Sequence, residues 1–235
     1  MAAHRGLIRA LRQALRAAAD PAKGPAMQAY MKSDMPYWGV QAQPLRRITK
    51  AVFAEHPLAS FEAWRDTLLA IWREAGHREE RYAAIELAGG PAYRAWQTLD
   101  ALPIYEELIV SGAWWDTVDA IASHQIGGLL RGYPAQMKPV LRAWAKGDDI
   151  WKRRTAILAQ LGSKRETDLK LLYDCIRPSL HRPEFFLRKG IGWALRQYAH
   201  TDAAEIVRYV RRHEALLSPL SRREALKNVG RNNGR

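Results

Sequence analysis

Trp115 and Asp119 stand four residues apart in the run Ala113-Trp114-Trp115-Asp116-Thr117-Val118-Asp119-Ala120-Ile121. Helical spacing puts Trp114, Val118 and Ile121 on one buried face and Trp115 with Asp119 on its neighbour. An indole and a carboxylate can then border the same space. Core packing explains one of the two adjacent indoles but not a second one beside an acid. The competing reading is structural, because acids near a helix N-terminus favour its dipole, which suits Asp116 better than Asp119.

Two further segments carry unusual side chains. In Asp148-Asp149-Ile150-Trp151-Lys152-Arg153-Arg154-Thr155-Ala156-Ile157-Leu158, an N-cap at Asp148 or Asp149 opens a helix whose apolar stripe is Ile150, Ile157 and Leu161. Arg154 projects almost into the middle of that stripe. It therefore needs a carboxylate or an anionic ligand, and Asp119 is itself a candidate partner. Lys152 and Arg153 flank it and are placed to meet phosphates. In Phe185–Tyr198, Leu187, Ile191, Ala194, Leu195 and Tyr198 form a core face, while Lys189, Trp193 and Arg196 line the opposite side. Gly190 and Gly192 lower helix propensity where a close approach matters. Ser221-Arg222-Arg223-Glu224-Ala225-Leu226-Lys227 begins another helix with Arg222, Arg223 and Lys227 outward. Cations interleaved with aromatic faces suit nucleic acid, through phosphate contact and stacking.

The charge distribution agrees. The chain of 235 residues carries a net +13 with a sequence pI of about 10.1. The balance is +7 over residues 1–50, −7 over 51–119 and +13 over 120–235. A surface assembled from both basic ends around one polyanion fits that division better than charge kept only for solubility. The first basic group is Arg5, Arg9, Arg12 and Arg16, opposite Ile8, Leu11 and Leu15. Such an acid-free opening is like an organelle transit peptide. The lack of Ser or Thr before Asp20 and the helical pattern that follows favour an ordinary first helix.

Other chemistries lack their signatures. The seven histidines are scattered, with no HExxH or His/Cys cluster, so no metal site is expected. P-loop, dinucleotide-binding and GxSxG patterns are absent, as are helix-turn-helix and zinc-finger readouts, and no cofactor is expected. No uncharged apolar run reaches the roughly 18–20 residues of a membrane helix. The single Cys175 excludes an internal disulfide framework and fits a reducing compartment.

Nearly every stretch between Pro and Gly punctuation reads at helical period, including Leu45–His56, Phe61–Ala75, Glu79–Ala88 and Val140–Lys146. The fold class expected is all-α. A degenerate repeat starts at Trp114, Trp151 and Phe186, at spacings close to HEAT-like repeats. Residues 1–235 are accordingly expected to form one solenoid-like domain with a concave basic surface.

In order and spacing, these residues resemble the AlkD-like DNA alkylation repair glycosylases, all-helical HEAT-like repeat proteins. The resemblance runs from about Met27 to Val229. Its pieces are Ala29-Tyr30-Met31-Lys32 with Trp38-Gly39-Val40-Gln41, Glu107–Val110 leading into Trp114–Asp119, Ile150–Leu158, Lys189–Arg196 and Leu220–Ala225. It implies that Asp119 is the catalytic carboxylate and that Trp115 and Trp193 lie against the target deoxyribose. It further implies Arg154 near the phosphate and Tyr30 completing the cleft, with Gln41 also on the DNA. The departures are Trp38, where an aliphatic residue is usual, and Met35-Pro36-Tyr37 in the preceding turn. The implied activity is excision of N3- and N7-alkylated purines from double-stranded DNA, as base excision repair without base flipping. The expected protein is a monomer in the cytoplasm, associated with the nucleoid as in bacteria. The alternative is a non-catalytic helical-repeat protein that binds duplex or distorted DNA.

Overall fold

Capping residues and proline set the helix boundaries. Ser60, Asp149, Asp168, Asp202 and Ser218 each accept a backbone N–H of the helix that follows, satisfying donors left free in its first turn. The computed structural model describes residues 2–229. Among them are fourteen α-helices, a few 3-10 turns, one π turn and no strand. No helix among the described residues is long and apolar enough to cross a membrane.

The chain divides into two compact units, Met1–Ile104 and Tyr105–Arg235. The first contains α1 (Arg5–Ala17), α2 (Gly24–Met31), α3 (Ala42–Glu55), α4 (Phe61–Arg73) and α5 (Arg78–Ala88). Leu7, Ile8, Leu11 and Leu15 of α1 are buried, with Trp64, Leu68 and Ile71 of α4 at 0% exposure. Full burial of each such side chain contributes about 1.5–3 kcal/mol. On the polar side of α1, Arg5 pairs with Glu74 at 2.7 Å and Arg12 with the buried Glu80 at 2.6 Å. The N-terminal Arg stripe lies on α1, and Arg5 and Arg12, half of it, are tied to acids of its own unit.

The second unit begins within α6 (Leu102–Gly112), followed by α7 (Trp115–Ile121), the π turn Ala122–Ile126 and α8 (Gly127–Gly132). Then come α9 (Pro134–Lys146), α10 (Ile150–Leu158), α11 (Leu169–Ile176), α12 (Phe185–Ala199), α13 (Ala203–Arg212) and α14 (Pro219–Leu226). Several starts differ from the sequence reading, α3 beginning at Ala42 rather than Leu45. The Val140–Lys146 helix begins at Pro134 and runs through Pro139, which stays in the helix although it gives up one backbone hydrogen bond. The last helix starts at Pro219, because Ser218 rather than Ser221 is its cap.

α10 packs against α7, α9 and α12, and α12 packs against α13 and α14, around a core that includes Ile157, Leu158, Leu187, Ile191, Leu195 and Ile206. Two backbone positions hold this packing. Ala113, between α6 and α7, has φ +41°, a left-handed conformation costly to any residue with a Cβ. Gly192 lies so close to α14 that a Cβ there would stand 2.5 Å from Glu224 Cβ and 2.9 Å from the Ser221 carbonyl oxygen.

Two substitutions follow, both read by thermal or chemical unfolding. Gly192→Ala is expected to destabilise by about 1–3 kcal/mol through overpacking. Ala113→Gly is expected to stabilise by up to about 1 kcal/mol, because relief of the left-handed strain exceeds the entropy that Gly adds to the unfolded chain. Equal melting of the Gly192 variant and the parent would contradict the close packing.

Candidate functional site

The three residues that begin the degenerate repeat meet in space. Trp114 caps α7, Trp151 lies in the first turn of α10 and Phe186 in the first turn of α12. Their rings cluster, with centroids 6.1 Å apart for Trp114–Trp151 and 5.1 Å for both Trp114–Phe186 and Trp151–Phe186. Such ring contacts add about 0.5–1.5 kcal/mol each beyond burial. They pin the N-termini of three helices side by side. One turn further along, each helix contributes to a single spot: Asp119 from α7, Arg154 from α10 and Gly190 from α12.

At that spot Asp119 and Arg154 form a two-pronged ion pair. Arg154 Nε donates to Asp119 Oδ1 at 2.7 Å and Nη2 to Oδ2 at 2.8 Å. The third guanidinium nitrogen, Nη1, donates to the Phe186 carbonyl oxygen at the start of α12. Arg154 is 3% exposed and Asp119 9%. A Cβ at residue 190 would stand 3.0 Å from Arg154 Nη1, so the glycine gives the guanidinium its room. Immediately after α7 the chain takes the π turn Ala122–Ile126. Ser123 Oγ there donates to the Asp119 carbonyl oxygen at 2.8 Å. Burial pushes the Asp119 carboxyl above its ordinary value of 3.8; the Arg154 hydrogen bonds and charge pull it back down, and Asp116 adds a smaller push upward. Each carboxylate oxygen accepts only one of these bonds and keeps lone-pair capacity for another donor.

The sequence left open whether Arg154 meets an acid or a ligand anion. In this structure it meets Asp119. Two half-buried indoles share these helices: Trp115 of α7, four residues before Asp119, and Trp193 of α12, three after Gly190. Trp193 also packs against the core of the second unit. Trp114, its neighbour's counterpart in the sequence run, belongs to the ring cluster.

The expected DNA-facing cations have different surroundings. Arg153 is buried and donates to the carbonyl oxygens of Lys146, Gly147 and Pro178 and to Ser179 Oγ, which joins α9, α10 and the turn after α11. Lys152 pairs with Glu106 at 2.5 Å and sits 5.3 Å above the Trp144 ring. Lys189 and Arg196 share one acid, Glu224, at 2.7 and 2.5 Å. Arg222 pairs with Glu214 at 2.8 Å, and Arg223 and Lys227 are exposed. Glu224 and Glu106 escaped the sequence reading. The signal for Glu224 was a lone acid in a basic run, together with a glycine at 192 with no turn to explain it.

In the first unit, Tyr30 on α2 is 78% exposed, and Gln41 is the exposed N-cap of α3. The strand of chain before Gln41 is held by Glu79 of α5, itself 0% exposed. Its carboxylate accepts the N–H groups of Trp38, Gly39 and Val40 at 3.1, 2.9 and 3.0 Å. Trp38 stacks on His77 with centroids 4.1 Å apart. Gly39, at φ +88°, is where the chain passes the Asp20 carbonyl oxygen too closely for any Cβ. Among the described residues no three His, Cys, Asp or Glu side chains gather as metal ligands.

Comparison with known proteins points one way. Residues 11–229 match the family described as DNA alkylation repair enzyme. The fold is similar to the solved structure of a predicted DNA alkylation repair enzyme from Enterococcus faecalis, at a TM-score of 0.81 and 29% identity, covering 90% of this chain and 97% of that one. No curated protein matches the sequence.

Acid sensitivity follows from the carboxyls of the second unit. Glu224 is held below its ordinary 4.5 first by the Lys189 bond, Glu205 below 4.5 first by Arg208, and Asp168 below 3.8 first by Lys138. Depressed values stabilise the fold above the ordinary range, and that stability is lost as pH falls through the folded values. Asp119, raised, has the opposite sign: its contribution is present at low pH and lost as pH rises through its folded value. Asp174 and Glu184 are also held below their ordinary values, so with five carboxyls against one the melting temperature is expected to fall as pH drops below the ordinary 4.5 and 3.8. Glu224→Gln is expected to flatten that fall in a melting series; an unchanged series would contradict the assignment.

Proposed function

The chain belongs to the DNA alkylation repair enzyme family, and from that membership we propose that it is a DNA glycosylase releasing N3- and N7-alkylated purines from duplex DNA. Alkylation at either nitrogen leaves the purine cationic. The bond from the base nitrogen to C1′ then breaks with its electron pair going to the base, which departs neutral. Positive charge develops on the deoxyribose as an oxocarbenium-like centre, and water adds at C1′ with loss of a proton. The chemical demand on the protein is a fixed negative charge beside the sugar, as in glycoside hydrolysis.

The observation that carries this reading is the buried Asp119 held by two hydrogen bonds from Arg154; Trp115 and Trp193, half-buried on α7 and α12, are proposed to border it. Arg154 favours the ionised carboxylate and fixes its orientation before substrate arrives. A carboxylate in a low-dielectric surrounding acts on developing charge far more strongly than one in water. Its spare lone pairs are available to orient the attacking water. The half-buried indoles offer their faces to the cationic sugar, which accords with approach from the sugar side rather than extraction of the base into a pocket. Tyr30, Gln41, Arg222, Arg223 and Lys227 are proposed to meet the duplex; Lys152, Lys189 and Arg196 do so by exchanging a carboxylate partner for phosphate. Arg153 acts by holding α10 in place.

The test is release of 7-methylguanine from methylated duplex DNA, by the parent and by Asp119→Asn. The parent is expected to release the base. The variant is expected to lose at least about a hundredfold in rate while binding duplex within a few-fold of the parent. Asn keeps one acceptor for Arg154, so a loss of about 1.5–3 kcal/mol in stability is expected, and the assay is run below the variant's melting range. Parental rates in Asp119→Asn would overturn the catalytic role. Tight, salt-sensitive duplex binding with no release by the parent would leave the protein a DNA binder.

A further inference from the structure

Glu224 sits where two independent features of the fold converge. The first is the close approach of α12 and α14, in which the backbone at Gly192 lies directly against Glu224 Cβ and any side chain at 192 would displace it. The second is the reach of the carboxylate from that point. Oε1 accepts from Lys189 Nζ at 2.7 Å and Oε2 from Arg196 Nη1 at 2.5 Å, one turn to either side of Gly192–Trp193. The acid is 8% exposed; side-chain exposure is 40% for Lys189 and 22% for Arg196. Lys189 therefore still faces solvent while its charge is matched from beneath.

Packing alone does not ask for this arrangement. An apolar contact of similar volume would join α12 and α14 as firmly, since desolvating charges costs several kcal/mol that the pairing only offsets. The chain instead sets the Glu224 carboxylate of α14 between two cations of α12, Lys189 and Arg196. The cations carry a net +1 at this place where they would otherwise carry +2.

We propose that Glu224 is a specificity-determining and positioning residue: it holds Lys189 and Arg196 on either side of Trp193 and keeps both from gripping the phosphates of undamaged duplex. This rests on the duplex-binding part of the reading above and not on its chemistry. Phosphates must displace the carboxylate to engage the two cations, so an ordinary duplex gains little from them. Only a duplex with additional contacts at the Trp193 face makes the exchange favourable. Glu224 touches no reacting atom; it acts through the two cations.

The experiment is binding of an undamaged duplex to the full chain by fluorescence anisotropy across a salt series. Removing the acid adds up to two phosphate contacts, so the slope of log K against log salt in Glu224→Gln is expected to steepen by about 1–2. Its affinity is expected to exceed the parent's at low salt, the advantage shrinking roughly tenfold between about 50 and 200 mM. Preference for methylated over undamaged duplex is expected to fall, and Glu224→Asp, which keeps the charge, to retain the parental slope. Adding Lys189→Gln and Arg196→Gln to Glu224→Gln is expected to remove the steepening. A purely structural clip would lower the melting temperature without steepening the slope. An unchanged or shallower slope in a folded Glu224→Gln overturns the proposal. Should that variant not fold, Glu224→Met, which keeps an apolar contact between the helices, answers the same question. A parent that releases no methylated base, alongside a steeper slope in Glu224→Gln, would remove the glycosylase reading and leave this one standing.

Discussion

The bidentate pair between Asp119 and Arg154 is the constraint around which the second unit is built. Two opposite charges out of water are tolerable only if every donor and acceptor finds its partner in good geometry, and removing one partner of such a pair typically costs about 3–5 kcal/mol. That requirement reaches into three helices at once. α7 supplies the carboxylate, α10 the guanidinium, and α12 both the Phe186 carbonyl for the third nitrogen and the bare backbone at Gly190. The ring cluster of Trp114, Trp151 and Phe186 fixes the helices at one end, so the next turn of each arrives in register.

Charge pairing recurs elsewhere in the second unit. A net +13 suggests free cations, yet several of the cations nearest the site are engaged. Arg153 is bound to backbone carbonyls, Lys152 to Glu106, and Lys189 and Arg196 to Glu224. In a family that acts on alkylated DNA, a restrained positive field has a physical use. Phosphate contact supplies affinity without information, whereas the contacts at a damaged nucleotide must be the ones that decide.

Much of the site was legible because it is local. Trp115 and Asp119 share a helix, so their common border follows from the 3.6-residue period alone. The core face of α12, the oddity of Arg154 in an apolar stripe and the need for small residues at 190 and 192 were readable on the same ground. The repeat was legible only as a faint recurrence of an aromatic at helix starts, and its meaning became clear when the three rings were found in contact. Arg153 and Arg154 show where that reading stops. They are neighbours with identical side chains, and rotating 100° around α10 gives one to backbone carbonyls and the other to Asp119.

By itself the sequence determined the all-helical class and the buried face of each main helix, and its charge pointed to a polyanionic partner. These are consequences of periodicity, composition and local spacing, which survive without knowledge of any other segment. Only the tertiary structure decided the partners: Arg154 for Asp119 across 35 residues, Glu224 for Lys189 and Arg196 across 35 and 28, and Glu79 for three successive N–H groups some 40 residues away. The reason is that a hydrogen bond between helices depends on their relative rotation, offset and distance. Those are set by how whole faces pack, as at Gly190 and Gly192, and a helical pattern read along one segment leaves all three undetermined.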